Sequence, residues 1–166
     1  MVKIVHPILG AIDPSVPGFW NTTVTFGGRA VAVDLTVDGA GLTSAELNKL
    51  PRMVEELRPL GRAARLAILQ DARSGDDDSA AKLYITHHHD ELPGPDFARL
   101  FGTDIPDLAQ PDALLSRLVL VRMGLYPENE DRPFLLDYSI DPDATNYLLS
   151  VSFDSNRQPL AVDFES

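Results

Sequence analysis

The sequence predicts an α+β fold: a mostly antiparallel sheet, made of an N-terminal hairpin and a C-terminal meander, with helices packed on one face. Three observations support this. Apolar residues alternate with a period of two on both sides of Gly27-Gly28, repeat at helical spacing between Thr43 and Leu92, and alternate again from Leu118 onward. Strands, then helices, then strands is the order of a sheet whose helices are segregated to one side. The 166 residues are expected to form one domain, 1–166, without linker, repeat or low-complexity tract.

The first hairpin is the clearest element. A two-residue turn at Gly27-Gly28 sets Phe26 opposite Arg29, Val24 opposite Val31, Thr22 opposite Val33 and Trp20 opposite Leu35. Such a turn needs positive φ, which glycine adopts at little steric cost. Val31, Val33, Leu35 and Val37 then face the core, with Asp34 and Thr36 on the other side. Ile8 to Ile12 reads as a short strand ahead of it.

Thr43 and Glu46 form a capping-box pattern, and Leu47, Leu50, Val54 and Leu57 follow at spacings of three and four. Pro51 and Pro59 lack an N–H, so two or three short helices are expected in place of one rod. Asp78 or Ser79 can cap a helix over about residues 79–91, stopped by Pro93-Gly94-Pro95, and Asp96 to Phe101 adds a further turn. Leu118 to Tyr126 is apolar except at Arg122 and Gly124, as in a central strand covered by helices on one side. Phe134, Leu136, Tyr138 and Ile140 alternate with Leu135, Asp137 and Ser139. Leu149, Val151 and Phe153 alternate with Ser150 and Ser152, and reflection about Asn156-Arg157 pairs Phe153 with Leu160, Val151 with Val162 and Leu149 with Phe164. Asn156 is expected to take any left-handed position in that turn.

Charge narrows the function classes. The chain carries 25 acidic and 14 basic residues, a formal charge of −11. This opposes binding to nucleic acid or to anionic membranes and suits a basic protein partner. The excess is uneven: residues 1–75 hold 8 basic and 7 acidic side chains, residues 76–166 hold 6 and 18. With no cysteine, disulfides and thiol chemistry are excluded. No stretch resembles a signal peptide or a membrane span, so a cytoplasmic location is expected.

The motifs Tyr126-Pro127-Glu128, Leu136-Asp137-Tyr138-Ser139-Ile140, Thr145-Asn146-Tyr147-Leu148-Leu149, Val151-Ser152-Phe153-Asp154 and Glu165-Ser166 follow in order. Together with His6-Pro7-Ile8-Leu9-Gly10 and Val31 to Val37, this pattern resembles an uncharacterised bacterial family, the domain-of-unknown-function family numbered two thousand and four. Where that pattern would place a glycine in the last turn, this chain has Asn156-Arg157. The resemblance implies a fold and a bacterial origin and transfers no activity.

Catalytic patterns are scarce. His87-His88-His89-Asp90-Glu91 contains groups that ligate metals, and His87 and Glu91 share a helix face. Consecutive residues point about 100° apart on a helix, so three adjacent histidines do not grip one ion. No cofactor and no metal are therefore expected, and His87 with Glu91 are the ligands if a metal is held at all. No nucleophile elbow, phosphate loop or calcium loop occurs. His6 reads as a structural residue.

One constellation remains. The non-core side of the strands collects Asp34, Thr36, Asp137, Ser139, Ser150, Ser152, Asp163 and Glu165, a hydroxyl-rich and acidic face for docking a cationic partner. Tyr126 and Tyr138 are candidate aromatic anchors, although Tyr138 alternates with the core set. The leading expectation is a non-enzymatic, acidic protein-binding module, of which an immunity-type protein is one form. The alternatives are a metal-dependent hydrolase using His87 to Glu91, and a module that self-associates through its final strand.

Overall fold

A computed structural model describes residues 3–13, 15–39, 41–104, 106 and 108–166. A six-stranded sheet runs in chain order, β3 (Gly18–Phe26), β4 (Arg29–Val37), β5 (Val119–Leu125), β6 (Phe134–Ser139), β7 (Leu148–Phe153) and β8 (Pro159–Glu165). Two short strands, β1 (Ile4–His6) and β2 (Gly10–Ile12), pair as a separate ribbon. Every pairing is antiparallel except β4 with β5.

That parallel pair explains the layering. Parallel neighbours need a long crossover, and the connection from Val37 to Val119 contains α1 (Ser44–Glu55), α2 (Leu57–Ala72), α3 (Ala80–Glu91), α4 (Gly94–Phe101) and α5 (Pro111–Leu115). Helices α2 and α3 pack against β7 and β8, and α2 also reaches β6. Between them and the sheet lie Val31, Val33, Leu35, Leu60, Ala64, Ile68, Ile85, Met123, Leu136, Leu149 and Val151, all essentially inaccessible. The fold is the α+β arrangement anticipated from the order of elements.

The first hairpin has the expected register, Phe26↔Arg29 through Gly18↔Val37, with Gly27 and Gly28 both at positive φ. The second departs from expectation at its turn. Leu149↔Phe164 and Val151↔Val162 pair as anticipated, but an irregularity brings Pro159, not Leu160, opposite Phe153. Arg157, not Asn156, holds the left-handed position at φ 65°. Asp154 dictates this, because its Oδ1 accepts from the backbone N–H of both Asn156 and Gln158.

Thr43 and Glu46 form the complete capping box. Pro51 does not end α1; the break falls at Glu56, and Pro59 sits in the first turn of α2, where no intrahelical N–H is required. Ser79 caps α3, accepting from Lys82 N–H. Pro93 caps α4, which begins at Gly94, earlier than the Asp96 expected.

Two buried tyrosines tie helices to β6. Tyr138 donates to the Gly61 carbonyl at 3.1 Å, and the Tyr84 hydroxyl accepts from the Ile140 N–H at 2.8 Å. Burial pushes the pKa of each up to about 12, so both hydroxyls stay neutral through the ordinary pH range. Tyr84→Phe strands a buried N–H and is expected to cost about 1–3 kcal/mol in urea unfolding, more than the roughly 1 kcal/mol of Tyr138→Phe. Equal costs would show that the Ile140 N–H finds another partner.

Candidate functional site

The strand register creates a continuous row across the whole sheet on the side opposite the helices. Thr23, Ala32, Arg122, Asp137, Ser150 and Asp163 are successive cross-strand neighbours, from one edge to the other. A second row runs Asn21, Asp34, Gly124, Leu135, Ser152 and Ala161. Of the eight residues expected on one face, the register brings Asp34, Thr36, Asp137, Ser150, Ser152, Asp163 and Glu165 together. Their exposure differs from expectation. Asp34, Asp137, Ser150 and Ser152 are buried, Thr36 is half-buried, and only Asp163 and Glu165 are exposed.

Arg122 accounts for the burial of the two carboxylates. Its Nε donates to Asp137 Oδ2 at 2.5 Å, and Nη1 lies 3.3 Å from Asp34 Oδ2. Ser150 donates its hydroxyl to the other oxygen of Asp137 at 2.6 Å. Burial works against the guanidinium charge, but Asp137 and then Asp34 more than offset it and raise the Arg122 pKa. The centre of the row is thus a compensated network and not an open acidic patch.

Ser139 leaves the row. At the end of β6 its hydroxyl accepts from Asp141 N–H and also meets the Tyr84 hydroxyl on the helix side. Tyr138 is likewise no surface anchor, being buried in the core with its hydroxyl on α2. Tyr126 lies across Gly124, where a Cβ would stand 2.9 Å from the ring, so the residue at 124 has no room for a side chain.

The histidine segment divides in three directions, as helical geometry requires. His87 pairs with Glu91 at 3.1 Å and His89 with Asp90 at 3.5 Å, both near the surface. His88 is buried against Tyr84, Phe101 and Tyr147. Its Nδ1 is 2.7 Å from the Tyr84 carbonyl, which only accepts, so the neutral ring carries its proton there and Nε2 accepts from Thr145 Oγ1 at 3.1 Å. Both ring nitrogens are engaged, and among the described residues no three His, Asp or Glu gather as metal ligands. His6 has a turn-capping role: its Nδ1 accepts from the N–H groups of Ile8 and Leu9.

An exposed acidic surface lies along β8, the last strand and an edge of the sheet. Asp163 and Glu165 project from it. At its end is a recess of about 610 Å³ walled by Glu91, Asp143, Asn146 and Tyr147, with no Lys or Arg in the lining. Tyr147 donates to Glu91 at 2.7 Å, fixing one carboxylate of that wall. Sequence reading missed this recess because Glu91 and Tyr147, 56 residues apart, are brought together by the packing of α3 against β7 and β8. Neither a protein-family model, a curated protein nor a solved structure matches the chain.

His88 gives this region a pH dependence. Burial lowers its pKa below the ordinary 6.5. The unfolded chain therefore takes up a proton first, so stability is complete above pH 6.5 and falls as the pH drops through the lowered folded value, by up to about 1.4 kcal/mol per pH unit. His6 shifts the same way. Thermal unfolding between pH 7.5 and 5 is expected to show a shallower acid slope in His88→Gln than in the parent, whatever its absolute stability. Parallel slopes would contradict a buried neutral His88.

Proposed function

We propose that the protein is a non-enzymatic binding module that takes a basic, extended segment of a partner protein along edge strand β8. The observation that carries this reading is the edge itself: β8 is paired on one side only, exposes Asp163 and Glu165, and leads into the recess walled by Glu91 and Asp143. An unpaired edge offers main-chain hydrogen bonds to an added strand, and alternate side chains supply specificity. Cationic residues at alternate positions of the incoming strand would meet Asp163 and Glu165. Complementary charge of this kind raises association rates and excludes acidic competitors.

A second copy is a poorer occupant of the same edge. Antiparallel self-pairing would bring Asp163 and Glu165 of two chains close together, and opposed like charges destabilise a strand pair. Catalysis receives no support from the histidine segment, whose buried member is fully hydrogen-bonded. An immunity-type role, sequestering a basic effector, is one biological form of this activity.

The test uses a labelled peptide of alternating Lys and Val, with an alternating Glu and Val peptide as control, read by fluorescence anisotropy. The basic peptide is expected to bind with strong salt dependence, and Asp163→Asn with Glu165→Gln to weaken it by about tenfold. Equal binding of both peptides, or an unchanged affinity in the double variant, would refute the reading.

A further inference from the structure

Farther from β8 in the strand order, toward the β3–β4 side of the sheet, the electrostatics reverse. A recess of about 360 Å³ lies between the β3–β4 hairpin, the start of β5 and the first half of α2, and it is lined by Arg29, Arg58, Arg62 and Arg65 with no acidic residue. Its apolar walls include Phe26, Val119 and Leu120. A second, shallower depression shares Arg29 and Arg65 and adds Arg99 and Arg117, with Asp141 as its one carboxylate. Six of the chain's 14 cations therefore border one region of a molecule with a net charge of −11.

The arginines differ in how they are held. Arg65 is fixed in place: Nη2 donates to the Leu118 carbonyl at 2.9 Å, and its guanidinium lies 5.7 Å from the Tyr138 ring centre. Arg117 donates to the carbonyls of Arg99 and Leu100. Arg99 is within 4.0 Å of Asp96 and 3.8 Å of Asp141. By contrast Arg29, Arg58 and Arg62 have no ion-pair partner among the described residues. Elsewhere carboxylates meet cations readily, as in Arg73–Asp112, Lys82–Asp77 and Arg157–Glu56. Gathering unpaired guanidinium groups around a hollow raises their mutual repulsion, which an anion between them relieves.

We propose that this recess binds the phosphate groups of a small polyanionic phosphate ligand. Arginine forks match phosphate oxygens two at a time, and several unpaired forks around one hollow suit a ligand with more than one phosphate charge. The volume lies in the range of small-ligand sites, and Phe26, Val119 and Leu120 offer an apolar rest for an organic body. A nucleic-acid strand fits less well, because its backbone would extend from this confined patch over an acidic remainder.

Isothermal calorimetry on the intact protein decides the matter, with pyrophosphate, ATP, citrate and a short single-stranded oligonucleotide as probes. Pyrophosphate and ATP are expected to bind, and Arg58→Gln with Arg62→Gln to weaken both by about 10- to 100-fold. Both positions are exposed on α2, so the fold is expected to persist, which circular dichroism checks. Lys49→Gln with Arg52→Gln, which line a different recess, should leave binding unchanged. Tighter binding of ATP than of pyrophosphate supports a role for the apolar wall, and equal binding supports recognition of phosphate alone. The proposal is overturned if neither phosphate probe binds, if the Arg58/Arg62 variant binds as the parent does, if citrate matches pyrophosphate, or if the oligonucleotide binds more tightly than ATP.

Discussion

Arg122 is the side chain on which the middle of the sheet depends. It stands on β5, between Asp34 of the parallel neighbour β4 and Asp137 of the antiparallel neighbour β6. Asp137 is 1% exposed, and a carboxylate that deep persists in charged form only with a cation and hydrogen-bond donors around it. Arg122 and Ser150 supply them. One guanidinium thereby links three strands, a contribution that β5's own apolar residues do not make.

This compensation also redistributes the protein's outward charge. Two of the carboxylates that made the sheet face look acidic are held internally by Arg122, and of that face only Asp163 and Glu165 stay exposed, on β8. The helices tell the complementary story. The single crossover between β4 and β5 carries most of the cations, and three arginines of α2, at positions 58, 62 and 65, recur at helical spacing toward one end of the sheet. An acidic edge and a basic recess on one small domain are two distinct surfaces, each suited to its own binding partner.

The fold was largely legible because its hairpins, caps and alternation are local signals. Gly27-Gly28, Thr43 with Glu46, and the alternation of Phe134 to Ile140 each specify an element from within a few residues. One failure is local: Asp154, two residues before Asn156, captures the N–H groups of Asn156 and Gln158 and leaves Arg157 in the left-handed position. The others come from partners distant in sequence. Arg122 reads as an interruption in an apolar strand until β4 and β6 place carboxylates on both sides. Ser139 alternates with the solvent set, yet Tyr84, 55 residues earlier in the chain, draws its hydroxyl to the helix side. The arginine spacing on α2 was available in the sequence, but its meaning depended on Arg29 arriving from the hairpin.

The central claim is that Arg122 and Asp137 are needed together, and a double-mutant cycle in urea unfolding tests it. Arg122→Met leaves Asp137 and Asp34 without their cation, Asp137→Leu leaves Arg122 with Asp34 alone, and each should cost about 2–4 kcal/mol. The double variant removes both charges and should be destabilised by less than the sum of the two single costs, by at least about 1 kcal/mol. Strictly additive costs would contradict the account, because they would show that the sheet does not depend on this pairing.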